Sequence, residues 1–341
     1  MNSNNIRVNM PLRDLSAERL NFYRQIGVEE ATMPSRYSAE FKEGPVRPLV
    51  PAAHRNPPGP QPPSWNEGEL QRIKERIESF GLSPAVMALP VSGNIIMGKA
   101  GRDTDLASVE ENIRLAGRLG IRALTYNFTA LRASEGYAAR MGGGRGASDL
   151  RDFDYERIRD LPPLENVGRH NYTEMWERLE YFLRAVVPAA EAAGVRLAAH
   201  PNDPPVPEYR GVAQPLGDLE APKRLIETID SPANCVFFDT GVTTEWGEDA
   251  VEAIRYFGSR DRIGTVHFRN VRVEVPRYKY LETFIDEGDC DMAACMRAFA
   301  EVEYSGGIDP DHTPGIGGDT TDARMGWAFA VGHILALRSA M

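Results

Sequence analysis

Cysteine is scarce in this chain of 341 residues, and the three present, Cys235, Cys290 and Cys295, show no Cys-x-x-Cys spacing. This excludes a disulfide framework and fits a reducing compartment. Basic residues are also in deficit, 39 against 49 acidic ones, so the net charge of -10 gives no electrostatic support for binding nucleic acid or an anionic membrane. Long apolar runs are missing: residues 325–337 are too few to span a bilayer of ~30 Å, and the first ten residues lack a signal-peptide core. We therefore expect a cytoplasmic protein without nucleic-acid or membrane partners.

One pattern recurs along the chain: a short β-branched or apolar run is followed by a loop and then by a helical pattern that ends near a glycine. Eight runs predict strands, and eight helical patterns alternate with them. The predicted strands cover residues 6–10, 28–33, 85–90, 123–128, 196–201, 235–240, 263–270 and 307–312.

The turns from helix to strand are short, whereas several loops from strand to helix are long, which is typical of a (β/α)8 TIM barrel with its functional site on one face. The alternative, a doubly wound open sheet, would have fewer strands and a glycine fingerprint directly after a strand. The glycine-rich segment 142–147 follows an irregular stretch instead. The sequence thus predicts an α/β fold of the TIM-barrel class.

We expect a single barrel domain over residues 1–341, with two elaborations. A proline-rich flap is predicted at about residues 34–67, since eight of the 25 prolines lie between residues 45 and 63. A long loop is predicted at about residues 129–174. Flap and loops together suggest a homo-oligomer.

Three of the six histidines fall at the predicted carboxyl ends of strands, namely His200, His267 and His312. Asp239 ends the strand between the first two, and Asp311 precedes the last histidine. Strand ends in a barrel converge on one axis, so these nitrogen and oxygen donors can surround one divalent ion. We propose His200, Asp239, His267 and Asp311 as metal ligands.

The same residues carry a family resemblance. The segment His-Pro-Asn-Asp-Pro-Pro from His200, the Asp-Thr-Gly turn from Asp239, His-Phe-Arg-Asn from His267, Thr-Phe-Ile-Asp-Glu-Gly-Asp from Thr283 and the Asp311-His312 pair resemble mannonate dehydratases. The resemblance implies a xylose-isomerase-like barrel and the dehydration of a sugar acid, D-mannonate, to 2-keto-3-deoxy-D-gluconate. It also implies Mn²⁺ at the four positions above and an acid/base role for His312. Mg²⁺ is the alternative ion, because the carboxylate of Asp239 is a harder ligand than a thiolate.

Two departures from the family concern the site. The family usually has cysteine where Asp239 stands, and Cys235 lies four residues too early to replace it. The family also commonly has a catalytic tyrosine between the Asp-His pair and the last helix, but residues 305–341 contain none. Asp322 or Arg324 occupies that neighbourhood, and Asp322 is a candidate for the second proton carrier.

Dehydration requires removal of the C2 proton and departure of the C3 hydroxyl, so we expect two proton carriers beside the metal. His312 is the first candidate and Asp322 the second, with Asp203 behind it. Arg269 and Asn127, at strand ends, are predicted to bind substrate oxygens, because guanidinium suits carboxylates. For Arg269, a salt-bridged scaffold role at the strand end is an equal alternative.

Three other functions remain open at this point. The same enediolate chemistry serves a metal-dependent sugar isomerase or epimerase. A metal-dependent nuclease on the same barrel is disfavoured by the negative net charge. A catalytically inactive sugar-acid-binding homologue would account for the missing tyrosine, but the retained ligand set disfavours it.

Overall fold

The computed structural model describes residues 6–35, 59 and 64–341. The strands of this part are β1 (Arg7–Pro11), β2 (Glu30–Met33), β3 (Ser83–Ala88), β4 (Ala123–Asn127), β5 (Tyr137–Arg140), β6 (Leu150–Asp154), β7 (Arg196–His200), β8 (Glu208–Tyr209), β9 (Val212–Ala213), β10 (Asn234–Asp239), β11 (Ile263–His267), β12 (Val271–Val275), β13 (Lys279–Glu282) and β14 (Gly307–Asp309).

The α-helices of the described residues surround or follow these strands. They are α1 (Ala17–Ile26), α2 (Glu67–Glu78), α3 (Gly93–Ile96), α4 (Arg102–Arg118), α5 (Tyr172–Ala193), α6 (Glu220–Thr228), α7 (Thr240–Glu245), α8 (Ala250–Gly258), α9 (Met292–Glu301) and α10 (Arg324–Ser339).

Eight parallel strands close into a barrel in the order β1, β14, β11, β10, β7, β4, β3, β2. Each of the eight predicted strands overlaps one of these barrel strands, so the predicted TIM barrel is confirmed. The order makes β7, β10, β11 and β14 consecutive neighbours. Their carboxyl ends, where the predicted ligands lie, therefore meet at one sector of the barrel mouth.

Local sequence signals explain why the helices begin and end where they do. In α5, Asn171 caps the first turn and exchanges hydrogen bonds with Glu174, which is a capping box. The helix ends at Gly194, whose φ of 67° lies in the left-handed region that glycine adopts without strain. Its buried face packs on the barrel, where the ring of Phe182 lies 5.2 Å from that of Tyr126.

A second sheet lies in the long connections. Strands β5 and β6 fall inside the predicted long loop at 129–174, and β12 and β13 follow β11. The four strands form one antiparallel sheet in the order β12, β13, β6, β5. The long loop predicted at 129–174 therefore contains two short strands. The pairing of β6 with β13 is the long-range one, since its register partners Arg151 and Glu282 are 131 residues apart.

The predicted proline-rich flap at 34–67 falls almost wholly outside the described residues. Within the described part of the chain, no helix has both the length and the apolar character needed to cross a bilayer.

Candidate metal centre and its surroundings

Three of the four predicted ligands converge at the carboxyl ends of adjacent barrel strands. His200 ends β7, Asp239 ends β10 and His267 ends β11. Asp239 pairs directly with His267 in the strand register. All three side chains are largely buried, and one ligand atom of each lies within 4.8 Å of the other two. We call these three residues the ligand cluster.

The distances within the ligand cluster are short. His200 Nε2 lies 3.1 Å from His267 Nδ1, which in turn lies 3.2 Å from Asp239 Oδ2. His200 Nε2 and Asp239 Oδ2 are 3.6 Å apart. Adjacent ligands that bind one ion at ~2.1 Å in octahedral geometry are separated by ~3 Å, so the donor atoms have the spacing that a divalent ion requires.

The contacts behind each ligand decide which atom faces the cluster. His200 Nδ1 lies 2.7 Å from the Pro201 carbonyl oxygen, to which it donates, so Nε2 carries a lone pair. Asp239 Oδ1 accepts from the backbone N–H of Val242 at 2.8 Å, which leaves Oδ2 for the cluster. Imidazole nitrogens and carboxylate oxygens suit Mn²⁺, Fe²⁺ or Zn²⁺, and the residues therefore fit a divalent metal.

Asp311 lies beside the ligand cluster rather than within it. Its Oδ1 is 3.4 Å from Nε2 of His267, the nitrogen on the other side of that ring. Burial acts to lower the pKa of His267, but the carboxylates of Asp311 and Asp239 outweigh it and raise the pKa. The carboxylates around this ring therefore favour a positive charge next to it, which a bound divalent ion would also supply.

Arg269 is the buried cation of the site, with only 1% of its side chain exposed. Its Nε donates to Asp239 Oδ2 at 3.0 Å and its Nη1 to Glu245 Oε1 at 2.9 Å. These contacts lie between protein groups, so the guanidinium predicted to bind substrate holds the Asp239 carboxylate in place. Its Nη2 is buried without a hydrogen bond among the described residues.

Asp203 belongs to the same buried network. Its Oδ1 accepts a hydrogen bond from Tyr137 at 2.6 Å, and Arg132 donates to its Oδ2 at 3.3 Å. Burial alone would raise the pKa of this carboxyl, but Arg269 and Arg132 lower it instead. Asp203 is therefore ionised, and it is a poor proton donor.

His312 is buried, and neither ring nitrogen has a hydrogen-bond partner among the described residues. Nε2 lies 3.6 Å from Glu282 Oε2, and Nδ1 lies 3.7 Å from Asp311 Oδ2. Burial lowers the pKa of His312 to about 4, although Glu282 opposes this shift. The ring is therefore neutral at neutral pH, with an unused nitrogen that can accept a proton.

The remaining two predicted site residues lie in different surroundings. Asn127 is exposed at the end of β4, where it pairs in register with His200. Asp322 forms ion pairs with Arg19 at 3.0 Å and Arg324 at 3.0 Å. Burial raises its pKa, but hydrogen bonds from Thr320 and Arg324 outweigh that effect, so the carboxyl is ionised.

The sequence interpretation missed the residues that the second sheet brings to the site. Arg151 of β6 and Glu282 of β13 are register partners, and they form a buried ion pair in which Arg151 Nε donates to Glu282 at 2.6 Å. The hydroxyls of Tyr137 and Tyr280 are hydrogen-bonded to each other at 2.9 Å, and that of Tyr137 also donates to Asp203. One signal was available: valine alternates with charged residues from Val271 to Val275, which is the period of a half-buried strand.

Comparisons of the sequence and of the structure with known proteins find the same kind of protein. The family model of D-mannonate dehydratase matches residues 36–167 and 147–339. A mannonate dehydratase of Oceanobacillus iheyensis is 30% identical over 292 residues, which are 77% of this chain and 81% of the relative. Among solved structures, the mannonate dehydratase of Streptococcus suis serotype2 superposes with a TM-score of 0.79 at 24% identity, over 98% of this chain and 93% of that one.

A more distant structure shares the fold alone. A xylose isomerase domain protein from Planctomyces limnophilus superposes with a TM-score of 0.58 at 14% identity, and the match covers 98% of both chains. The barrel is therefore of the xylose-isomerase-like type.

Proposed function

Because this chain belongs to the D-mannonate dehydratase family, we propose that it is a metal-dependent hydro-lyase that converts D-mannonate to 2-keto-3-deoxy-D-gluconate. The observation that carries the proposal is the ligand cluster: two histidine nitrogens and one carboxylate oxygen converge within 4.8 Å at the barrel mouth. If the proposal fails, the experiments below would identify the protein as an isomerase or as an inactive binding protein.

We propose that His200, Asp239 and His267 hold the ion and that Asp311 supplies the fourth ligand. Asp311 is included because its Oδ2 lies 3.5 Å from Arg269 Nε, the same atom that donates to Asp239 Oδ2, so its carboxylate lies next to the ligand cluster. A divalent ion bound here would supply Lewis-acid stabilisation of the negative charge that develops on the substrate during C2 deprotonation.

Mn²⁺ is the proposed native ion. The proposed ligand set contains two carboxylates and two imidazoles and no thiolate, which favours a hard ion over a soft one. The Arg269 guanidinium supports this set because it holds Asp239 Oδ2 at 3.0 Å from its Nε.

His312 is the proposed base for the C2 proton. Its ring is neutral at neutral pH, its side chain is only 7% exposed, and its Nδ1 lies 3.7 Å from the proposed ligand Asp311, which would place it near a substrate bound to the ion. Asp322, the candidate for the second proton carrier, pairs with Arg19 and Arg324. These ion pairs keep it ionised, which makes it a poor proton donor for the C3 hydroxyl.

Substrate oxygens are assigned chiefly to Asn127. It is the exposed amide beside His200 at the barrel mouth, and it can donate to or accept from a hydroxyl. Arg269 and Asp203 are assigned an indirect role. Arg269 pairs with the carboxylate of the proposed ligand Asp239 at 3.0 Å, and Asp203 lies 3.7 Å from the same guanidinium.

The proposed setting is the cytoplasm, with the chain acting as a homo-oligomer on a small sugar acid. The few cysteines and the negative net charge support the compartment and the absence of nucleic-acid partners. Light scattering coupled to size-exclusion chromatography measures the assembly directly.

The function is tested by incubating the Mn²⁺-loaded protein with a panel of aldonic acids that differ in configuration at C2 to C5. We expect a 2-keto-3-deoxy acid from D-mannonate, and no product after treatment with a chelator. Turnover of a different epimer would change the assigned substrate, and absence of turnover with the ion bound would contradict the enzyme itself.

Asp239→Cys is expected to retain metal but to shift its preference from Mn²⁺ toward Zn²⁺, because a thiolate is a softer ligand than a carboxylate. Competition titrations of the two ions against each variant measure the shift. Asp160→Cys is the control, because it adds a thiol at a side chain that is 90% exposed. If Asp239→Cys and Asp160→Cys show the same preference as the parent protein, Asp239 does not bind the ion.

A further inference from the structure

Two of the three cysteines form a close pair near the start of α9. Cys290 Sγ lies 3.5 Å from Cys295 Sγ, and neither is in a disulfide. Cys290 lies in the loop before the helix and is half-buried, whereas Cys295 is buried within the helix. The third cysteine, Cys235, is buried in β10 with its thiol 3.2 Å from the Pro232 carbonyl oxygen. The chain thus holds one thiol pair and one isolated thiol.

The paired thiols differ in reactivity. A hydrogen bond from Cys295, with a further one from Thr244, lowers the pKa of the Cys290 thiol against the effect of burial. The hydrogen bond to Cys290 and burial raise the pKa of Cys295, and burial raises that of Cys235 to about 11. Because the thiolate is the nucleophile, we expect an external disulfide to react with Cys290 before the other two thiols.

The loop that carries Cys290 is tied to the neighbourhood of the ligand cluster. The Cys290 backbone N–H donates to Asn270 Oδ1 at 3.0 Å, and Asn270 Nδ2 donates to the Cys290 carbonyl oxygen at 3.0 Å. Asn270 directly follows Arg269, whose Nε holds Asp239. Asn270 and Arg269 thus connect the Cys290 backbone to the proposed ligand Asp239.

A disulfide requires the two sulfurs to approach to ~2.05 Å. Cys295 is fixed in a helix whose neighbouring side chains Met296 and Phe299 are buried in the core. The movement must therefore fall mainly on Cys290 and on its two backbone hydrogen bonds with Asn270.

We propose that Cys290 and Cys295 form a redox-active dithiol that closes to a disulfide and thereby weakens metal binding at the ligand cluster. The oxidant is a small-molecule disulfide such as oxidised glutathione. The Cys290 thiolate attacks one of its sulfurs and releases one thiolate. Cys295 then loses its proton to solvent and attacks Cys290 Sγ, which releases the second thiolate. Two electrons and two protons leave the protein, and the glutathione disulfide is reduced.

The dithiol is tested by equilibrating the full chain in glutathione buffers of graded redox ratio, followed by alkylation and peptide mapping. We expect a Cys290–Cys295 cross-link that dithiothreitol reverses, with Cys235 remaining a thiol. Cys235→Ser should behave as the parent protein, while Cys290→Ser and Cys295→Ser should form no internal cross-link. A mixed glutathione disulfide at Cys290 as the sole product, or no oxidation at any ratio, would overturn the proposal.

The coupling to the ligand cluster rests on the proposed metal site and has a separate readout. Calorimetric titration with Mn²⁺ should show ~10-fold weaker binding after cross-linking, the scale of losing an outer-sphere partner. The Cys290→Ser variant treated with the same buffers should keep the affinity of the reduced protein. Equal affinity of cross-linked and reduced protein would overturn the coupling. Failure of the reduced protein to bind Mn²⁺ would overturn the metal site, and the cross-link result would stand independently.

Discussion

Replacing His200 or His267 with alanine should abolish stoichiometric Mn²⁺ binding and, with it, turnover. Each substitution removes a nitrogen that lies within 3.6 Å of the other donor atoms of the ligand cluster. The loss of affinity should exceed the ~10- to 100-fold typical of losing an outer-sphere partner. Metal content of the purified variants and calorimetric titration measure the effect.

The matched control for these substitutions is His333→Ala. The His333 ring stacks on Phe329 in α10, with ring centroids 6.5 Å apart, and His333 is no part of the ligand cluster. It should bind metal as the parent protein does. Thermal unfolding followed by circular dichroism separates loss of metal from loss of fold. A folded His200→Ala or His267→Ala variant that retains one equivalent of Mn²⁺ would refute the ligand assignment.

His312→Asn should lower kcat by ~10²- to 10⁴-fold, the range for losing a general acid or base, while metal binding is retained. Asparagine keeps a polar group in the buried space but cannot accept the C2 proton. The ring lies 3.7 Å from the proposed ligand Asp311, beyond hydrogen-bond distance, so its loss should leave the proposed ligands in place. Steady-state kinetics measure turnover and Mn²⁺ titrations measure metal binding, so the two experiments together separate these properties.

The second half of that test is the exchange of the C2 hydrogen with solvent. If His312 removes this proton, His312→Asn should lose exchange in parallel with turnover, and the substitution His333→Asn should change neither. Loss of turnover with exchange at the parent rate would assign His312 to a later step. Loss of bound Mn²⁺ would instead place it among the ligands.

The barrel could be predicted from the sequence because its signals are local. Eight apolar runs, each followed by a loop and a helix, correspond one by one to strands β1, β2, β3, β4, β7, β10, β11 and β14. The topology of a barrel then requires the ends of neighbouring strands to converge. This convergence is why the sequence alone could place His200, Asp239 and His267 close together.

The surroundings of the ligand cluster could not be predicted, because they depend on pairing between distant segments. Arg151 and Glu282 are 131 residues apart and meet only when β6 pairs with β13. For Arg269, the sequence left substrate binding and a salt-bridged scaffold role equally open. Its burial among Asp203, Asp239 and Glu245 follows from how four separate elements pack.

The central claim is that this site eliminates water from a sugar acid, and the most direct measurement is the reaction of the Mn²⁺-loaded protein with D-mannonate in D₂O. Magnetic resonance and mass spectrometry of the product follow both the loss of water and the fate of the hydrogens. The account predicts 2-keto-3-deoxy-D-gluconate with one solvent deuterium at C3, acquired when the enol becomes the ketone. A product that has lost no water, with deuterium at C2 or an inverted centre there, would contradict dehydration and assign the site to isomerisation or epimerisation.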